Sequence, residues 1–249
     1  MPVLGVIPAR LGSTRLPRKP LLSLGGEPLI LLVSRRIAEL GVCERLVVAT
    51  DAREIAQVVT GAGLEAVMTS PDHASGTERV AEVVAKPAFS SFNFILNVQG
   101  DEPFVAAAAV RGALACLEGG DPLGTAAGSL EPALVNDPAR VKVVVDARGR
   151  AVYFSRAPIP FDRDGTGDVV YHQHVGVYAY TREALELWVK LPPVPEERWE
   201  RLEQLRPLLH GIPMGVTLFD EPAAPGIDTP ADLKWAEAEI TRHLREVSS

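Results

Sequence analysis

Short apolar, β-branched runs alternate with stretches in which apolar positions return every three to four residues, which predicts a βα-layered sheet over the first half of the chain. Val3 to Ile7 is the first predicted strand. Pro28 to Leu40 is a helix, with Pro28 in its first turn and Gly41 as its stop. Arg45 to Ala49 follows as a strand, Asp51 as the cap of a helix running to about Thr60, and Glu65 to Met68 as a third strand. Ser75 to Ala85 is a helix whose start, Ser75-Gly76-Thr77-Glu78, has capping-box spacing. Phe94 to Val98 is a fourth strand, leading into Gln99-Gly100-Asp101-Glu102-Pro103.

The second half alternates less regularly. A helix over 106–118 precedes strands near Thr125–Ser129, Lys142–Val145, Ala151–Phe154 and Val175–Tyr180. Helices over 182–190 and 196–209 follow, then a strand near Val216–Phe219 and a last helix from Pro230. Strands that follow one another without helices point to a mixed or antiparallel extension on a parallel core. The expectation is a single α/β domain: a mainly parallel, Rossmann-like sheet flanked by helices, with that extension attached.

Composition narrows the classes of function. With 249 residues and 47% hydrophobic content the chain can bury a full core, and 23% charged residues is ordinary for a folded domain. A formal net charge of -7 argues against a nucleic-acid coat, which needs a basic surface. No apolar run approaches the roughly 20 residues of a membrane span, and Arg10 interrupts the apolar start early, so a cytoplasmic protein without membrane attachment is expected. Cys43 and Cys116 lie far apart without metal-ligand spacing and read as reduced thiols.

Against this acidic background one segment gathers positive charge. Ile7-Pro8-Ala9-Arg10-Leu11-Gly12-Ser13-Thr14-Arg15-Leu16-Pro17-Arg18-Lys19-Pro20 follows a buried strand, where ligands bind in open α/β sheets. Gly12 and Ser13 can turn backbone N–H groups toward an anion, and Arg10, Arg15, Arg18 and Lys19 supply forked and point-like cations suited to a triphosphate. A solvated basic turn would explain the charge but not the stiffening by Pro17 and Pro20. Neither GxxxxGK[ST] nor GxGxxG occurs, which excludes a Walker A loop and weakens a dehydrogenase reading. Asp101, after a strand end, and Asp228, before Pro230, are carboxylates from distant loops of the kind Mg²⁺ takes with phosphate oxygens; either could also be a turn or cap residue. His172 and His174 share one face of a strand, but no third ligand accompanies an H-x-H pair.

The basic loop resembles the signature of cytidylyltransferases that activate acidic sugars, most closely the 3-deoxy-manno-octulosonate cytidylyltransferase (CMP-Kdo synthetase) family. Further stretches repeat the resemblance in order: Thr69 to Arg79, Asn97 to Pro103, Tyr153-Phe154-Ser155-Arg156 with Ile159-Pro160, His174 to Tyr178, Leu202 to Arg206, and Gly226 to Leu233. Together they cover nearly the whole chain.

This resemblance implies transfer of CMP from CTP to the anomeric hydroxyl of Kdo, with pyrophosphate released, CMP-Kdo made for lipopolysaccharide synthesis, and a homodimer. It implies a nucleotide-binding core at about 1–130 and 211–249 and an acceptor-binding and dimerisation subregion at about 131–210. Pro8, Ala9, Arg10, Leu11, Gly12, Ser13, Arg15 and Lys19 would bind the nucleotide, Arg10, Arg15 and Lys19 through its β- and γ-phosphates, with Arg10, Arg15, Lys19 and Asp101 as the catalytic set. Ser75, Gly76, Thr77, Arg79, Gln99, Gly100 and Asp101 would complete the nucleotide site. Arg156, His174, Tyr178, Glu203 and Gln204 would bind the sugar, and Asp101 and Asp228 would bind Mg²⁺. The chain departs from the family pattern at Arg18, where Gly is usual, at Ala139, where Asn is frequent, and in the short stretch Asp162 to Val170. These departures bear on the acceptor more than on the nucleotide. 8-amino-Kdo or sialic acid as acceptor, a sugar-phosphate nucleotidyltransferase and a non-catalytic nucleotide-binding module are the competing readings.

Overall fold

The computed structural model describes residues 2–12 and 15–247, with side chains through Arg242. In chain order the elements are β1 (Val3–Ala9), β2 (Ser23–Leu24), β3 (Glu27–Pro28), α1 (Leu29–Leu40), β4 (Arg45–Thr50), α2 (Arg53–Gly61), β5 (Glu65–Met68), α3 (Gly76–Ala85) and β6 (Phe94–Val98). They continue with α4 (Ala107–Glu118), β7 (Leu123–Leu130), β8 (Lys142–Val145), β9 (Ala151–Ser155), β10 (Tyr171–Thr181), α5 (Arg182–Trp188), α6 (Pro195–Glu200), α7 (Leu205–Leu209), β11 (Met214–Pro222) and α8 (Pro230–Val247).

These elements form two compact units, one of Leu4–Phe89, Asn97–Phe104 and the chain from Pro225, the other mainly of Ser90–Leu96 and Val105–Ala224. In the first, β1 pairs in parallel with β4, and β4 with β5. Every residue of β1 is buried, as expected of a parallel strand covered on both faces. Leu4, Val6 and Ile7 are completely buried, a burial worth about 1.5–3 kcal/mol for each such side chain. α1 starts at Leu29, because Pro28 is still paired with Ser23 in a short hairpin, and it ends at Gly41, whose φ of 62° is the left-handed cap that stops a helix. α2 follows Ala52, and Asp51 is not its cap: the Asp51 carboxylate faces the guanidinium of Arg79 instead.

In the second unit the strands are mixed. β7 pairs antiparallel with β10 and parallel with β11, while β8 pairs antiparallel with both β9 and β10. The fold is therefore α/β, a parallel core with a mixed extension, as the alternation of patterns implied. α4 packs on this sheet where Thr217 Oγ1 donates to the Gly112 carbonyl at 2.9 Å. Lys142 is fully buried, its ammonium donating to the carbonyls of Asp137 (3.2 Å), Arg140 (2.6 Å) and Arg156 (2.5 Å). All three of its N–H groups are thereby satisfied, which is what makes a buried cation tolerable.

The helix expected over 196–209 is two short ones. Arg201 adopts φ 53° and ends α6, Leu202 donates back to the Glu197 carbonyl at 3.1 Å, and α7 starts afresh at Leu205. Pro207 explains the break: inside one long helix its ring would clash with the carbonyl four residues earlier, whereas near the start of a new helix it is at home. Arg206 then ties the two pieces through Glu197, with contacts of 2.6 and 2.8 Å.

Candidate active site

The C-terminal end of β1 opens into the basic loop, and beside it lie the end of β6 and the start of α8. Ile227 N donates to the Asp101 carbonyl at 2.9 Å, which seats the Gly226–Asp228 strap against the turn after β6. Thr229 and Asp232 cap α8 reciprocally, Thr229 N–H donating to Asp232 Oδ2 at 2.8 Å and Asp232 N–H to Thr229 Oγ1 at 3.2 Å. The capping role is thus taken by Thr229 and Asp232, and the Asp228 carboxylate is left for the basic loop.

There Lys19 Nζ lies 2.6 Å from Asp101 Oδ2 and 2.8 Å from Asp228 Oδ1, while Arg15 Nη2 lies 3.0 Å from Asp228 Oδ2. Two cations and two carboxylates from three separate segments neutralise one another. Burial alone would lower the pKa of the Lys19 ammonium, but the charges of Asp101 and Asp228 outweigh it and hold the pKa above its ordinary value. For Asp228, burial pushes upward and is outweighed by Lys19 and Arg15, which keep the carboxyl below the usual range. Arg10, Gly12 and Arg15 are exposed and Leu11 is half-buried; Ser13 lies outside the described residues.

Next to this cluster, backbone and small side chains make a close-packed edge. A Cβ on Gly100 would stand 3.0 Å from the Pro8 carbonyl oxygen, so any larger residue would push the two backbones apart by a few tenths of an ångström. A Cβ on Gly76 would stand 3.3 Å from Pro8 and 3.6 Å from the Gln99 amide. Pro8, Gly76, Gln99 and Gly100 therefore converge, with Ala9 buried at the strand end and Thr77 buried in the first turn of α3. Ser75 caps α3, accepting from Glu78 N–H at 3.2 Å, so the capping-box reading of this stretch and its role as an edge of the site coexist.

Arg79 behaves differently. At 2% exposure its guanidinium is spent inside the protein, on Thr69 Oγ1, on the Ser70 carbonyl at 3.3 Å and on Asp51 at 3.1 Å. It ties the first turn of α3 to the residues that follow β4 and β5.

The residues expected to hold the sugar fall into two groups in the second unit. His174 and Tyr178 lie on one face of β10, ring centroids 5.3 Å apart, beside an irregularity in its pairing with β7. Thr125 fills that irregularity: its hydroxyl donates to the Val177 carbonyl at 2.7 Å and therefore accepts from His174 Nε2 at 3.0 Å. A hydroxyl has one proton, so this fixes the His174 tautomer with hydrogen on Nε2. Burial against Phe154 and Tyr178 drives the imidazole pKa down to about 3, which makes it neutral at pH 7. Arg156 belongs to the second group. It donates to the carbonyls of Pro138 (2.8 Å), Glu200 (2.7 Å) and Arg201 (3.4 Å). Gln204 is buried and Glu203 half-buried in the turn between α6 and α7. Sequence reasoning missed Thr125 and Glu82, neither of which carries a local signal of its contacts, and read Asp51 only as a cap. Among the described residues no group of three or more His, Cys, Asp or Glu could hold a metal ion, and no helix is long and apolar enough to cross a membrane.

The family model described as cytidylyltransferase matches residues 4–214. The 3-deoxy-manno-octulosonate cytidylyltransferase of Gemmatimonas aurantiaca is 54% identical over 238 residues, covering 94% of this chain and 92% of that protein. Its counterpart in Methylococcus capsulatus is 47% identical, covering 96% and 95%. Among solved structures, a CMP:2-keto-3-deoxy-manno-octonic acid synthetase complexed with CTP superposes with a TM-score of 0.90 at 38% identity, over 98% of this chain and all of that one. The chain belongs to the cytidylyltransferase family, in its 3-deoxy-manno-octulosonate cytidylyltransferase branch.

Proposed function

We propose that the chain transfers CMP from CTP to the anomeric hydroxyl of Kdo. The hydroxyl oxygen forms a bond to the α-phosphorus, the bond to the β-phosphate oxygen breaks, pyrophosphate leaves, and the hydroxyl proton is released. The observation that carries this reading is the Arg15–Lys19–Asp101–Asp228 cluster at the end of β1, in a chain whose solved relative is described with CTP. Its cations suit a polyphosphate, and its carboxylates suit the counter-ion that a polyphosphate brings.

In this reading Arg10, Arg15 and Lys19 take the β- and γ-phosphates, with backbone of Pro8 to Gly12 beside them, and neutralise the charge that grows on the leaving pyrophosphate. Positioning and charge, rather than covalent help from the protein, supply most of the rate. Ser75, Gly76, Thr77, Gln99 and Gly100 form the edge that reads cytosine, whose N4–H₂ donor lies beside the N3 and O2 acceptors, while Arg79 holds that edge in place. Asp101 and Asp228 would hold the divalent metal, Mg²⁺. Two carboxylates fit a cation that keeps waters and phosphate oxygens in its shell. When bound, such an ion supplies Lewis-acid polarisation and lowers the pKa of the attacking hydroxyl. His174, neutral and with Nε2–H spent on Thr125, is suited to orient the acceptor rather than to serve as its acid, together with Tyr178, Arg156, Glu203 and Gln204. A homodimer would cover the exposed Phe161, Trp199 and Val170 of the second unit.

Pyrophosphate release measured with CTP, Mg²⁺ and each of Kdo, 8-amino-Kdo and sialic acid tests the acceptor. Fastest release with Kdo is expected. Release with another sugar alone would reassign the acceptor, and none with any would leave a nucleotide-binding module.

A further inference from the structure

Thr69–Ser75 joins β5 to α3 and delivers Ser75, Gly76 and Thr77 to the proposed base edge. The segment has no regular structure of its own, so its polar groups need partners from elsewhere. Several come from α3, while Thr69 N–H donates to the Thr50 carbonyl at 2.9 Å and Asp72 N–H to Ser70 Oγ at 3.1 Å. Glu82 Oε2 accepts from Ser70 N–H at 2.8 Å and lies 2.6 Å from His73 Nε2. Its other oxygen accepts from Lys86 Nζ at 3.2 Å. Glu78 Oε2 accepts from Ala74 N–H at 2.8 Å. Glu78 and Glu82 are spaced by four, so one face of α3 forms a template against which the loop is laid, and Lys86, just past the helix end, holds Glu82.

Within this template Glu82 has the widest grip, because it alone meets both the start and the middle of the loop. Burial acts to raise its carboxyl pKa, but the Ser70 N–H, His73 and Lys86 outweigh that and hold it at about 2. Its side chain is half-buried between the loop and α3, whereas the buried anchors of α3 in the core are Val80, Val83 and Val84. The grip on the loop is therefore separable from the stability of the helix.

We propose that Glu82 is a positioning residue for base recognition. It sets the path of Ser70 to Ala74 and so the placement of the α3 start against Pro8 and Gln99. The inference rests on the reading of that edge as the cytosine site.

The test combines steady-state kinetics on Glu82→Ala and Glu82→Gln with calorimetric binding of CTP and UTP. Alanine favours helix and keeps α3 intact, but it removes both grips on the loop. In Glu82→Ala the KM for CTP is expected to rise about tenfold, with kcat and the KM for Kdo changed by less than about twofold and the CTP-over-UTP preference reduced. Glu82→Gln keeps an acceptor for Ser70 N–H and is expected to recover most of the CTP affinity. An unchanged KM for CTP in Glu82→Ala overturns the proposal. So does a parallel loss of kcat and of both affinities together with a fall in the unfolding temperature, which is what a merely structural role gives. A wild-type protein that binds UTP as well as CTP would instead overturn the reading of the edge as a cytosine site.

Discussion

Lys19 Nζ lies 2.6 Å from Asp101 Oδ2, so the cation proposed to bind phosphate is paired with the carboxylate proposed to bind the metal. On that proposal, binding of a metal–nucleotide pair would exchange these partners, with Lys19 leaving the carboxylates for the phosphate chain. Lys19→Met, which keeps the length and removes the charge, is expected to lower turnover by about 10² to 10³, the usual cost of a lost transition-state charge partner. In a Mn²⁺ titration without nucleotide the same variant is expected to bind metal more tightly than the wild type, because the ammonium no longer lies between Asp101 and Asp228. Near-normal turnover in Lys19→Met would remove Lys19 from the catalytic set.

His174 gives a pH signature. Its folded-state pKa of about 3 lies below the unfolded value of about 6.5, so the unfolded chain takes up the proton first as the pH falls. The stability that this residue contributes is complete above about pH 6.5 and is lost progressively on the way down to about pH 3, by up to about 1.4 kcal/mol per pH unit. His174→Gln is expected to flatten the pH dependence of the urea midpoint between those limits. An unchanged slope would mean that the imidazole is not neutralised by burial.

Arg18 occupies a left-handed conformation, φ 59°, where the family usually has glycine, and its guanidinium pairs with Glu54 at the surface. Relief of the left-handed cost, about 1–2 kcal/mol, opposes the greater flexibility of glycine and the loss of an exposed ion pair worth at most about 1 kcal/mol. Arg18→Gly should therefore shift the unfolding free energy by no more than about 1 kcal/mol and leave kcat near the wild-type value. A large fall in kcat would give Arg18 a direct part in phosphate binding.

Much of this was legible along the chain, for physical reasons. β5, β6 and β8 fall on the residues expected because each is a short run bounded by turn or polar residues, and that pattern has few alternatives. The basic loop was legible because four cations after a buried strand in an acidic protein need an explanation. Asp51 was misread because a carboxylate just before a helix satisfies the capping pattern equally well, and only the tertiary approach of Arg79 decides between them. The break at Arg201 was announced by Pro207, a local signal overridden by the apolar periodicity around it. Glu82 could not be found at all, since its partner Ser70 is twelve residues away and nothing in either residue type points to the other.

The most direct test of the CMP-transfer site is the initial rate of pyrophosphate release from CTP and Kdo by Asp101→Asn, measured beside the wild type with CTP saturation checked in both. Asp101→Asn preserves shape and removes the charge. A carboxylate that binds the metal at the reacting phosphate predicts a loss of about 10² or more in rate with CTP still bound. Pyrophosphate release at close to the wild-type rate would contradict the site itself.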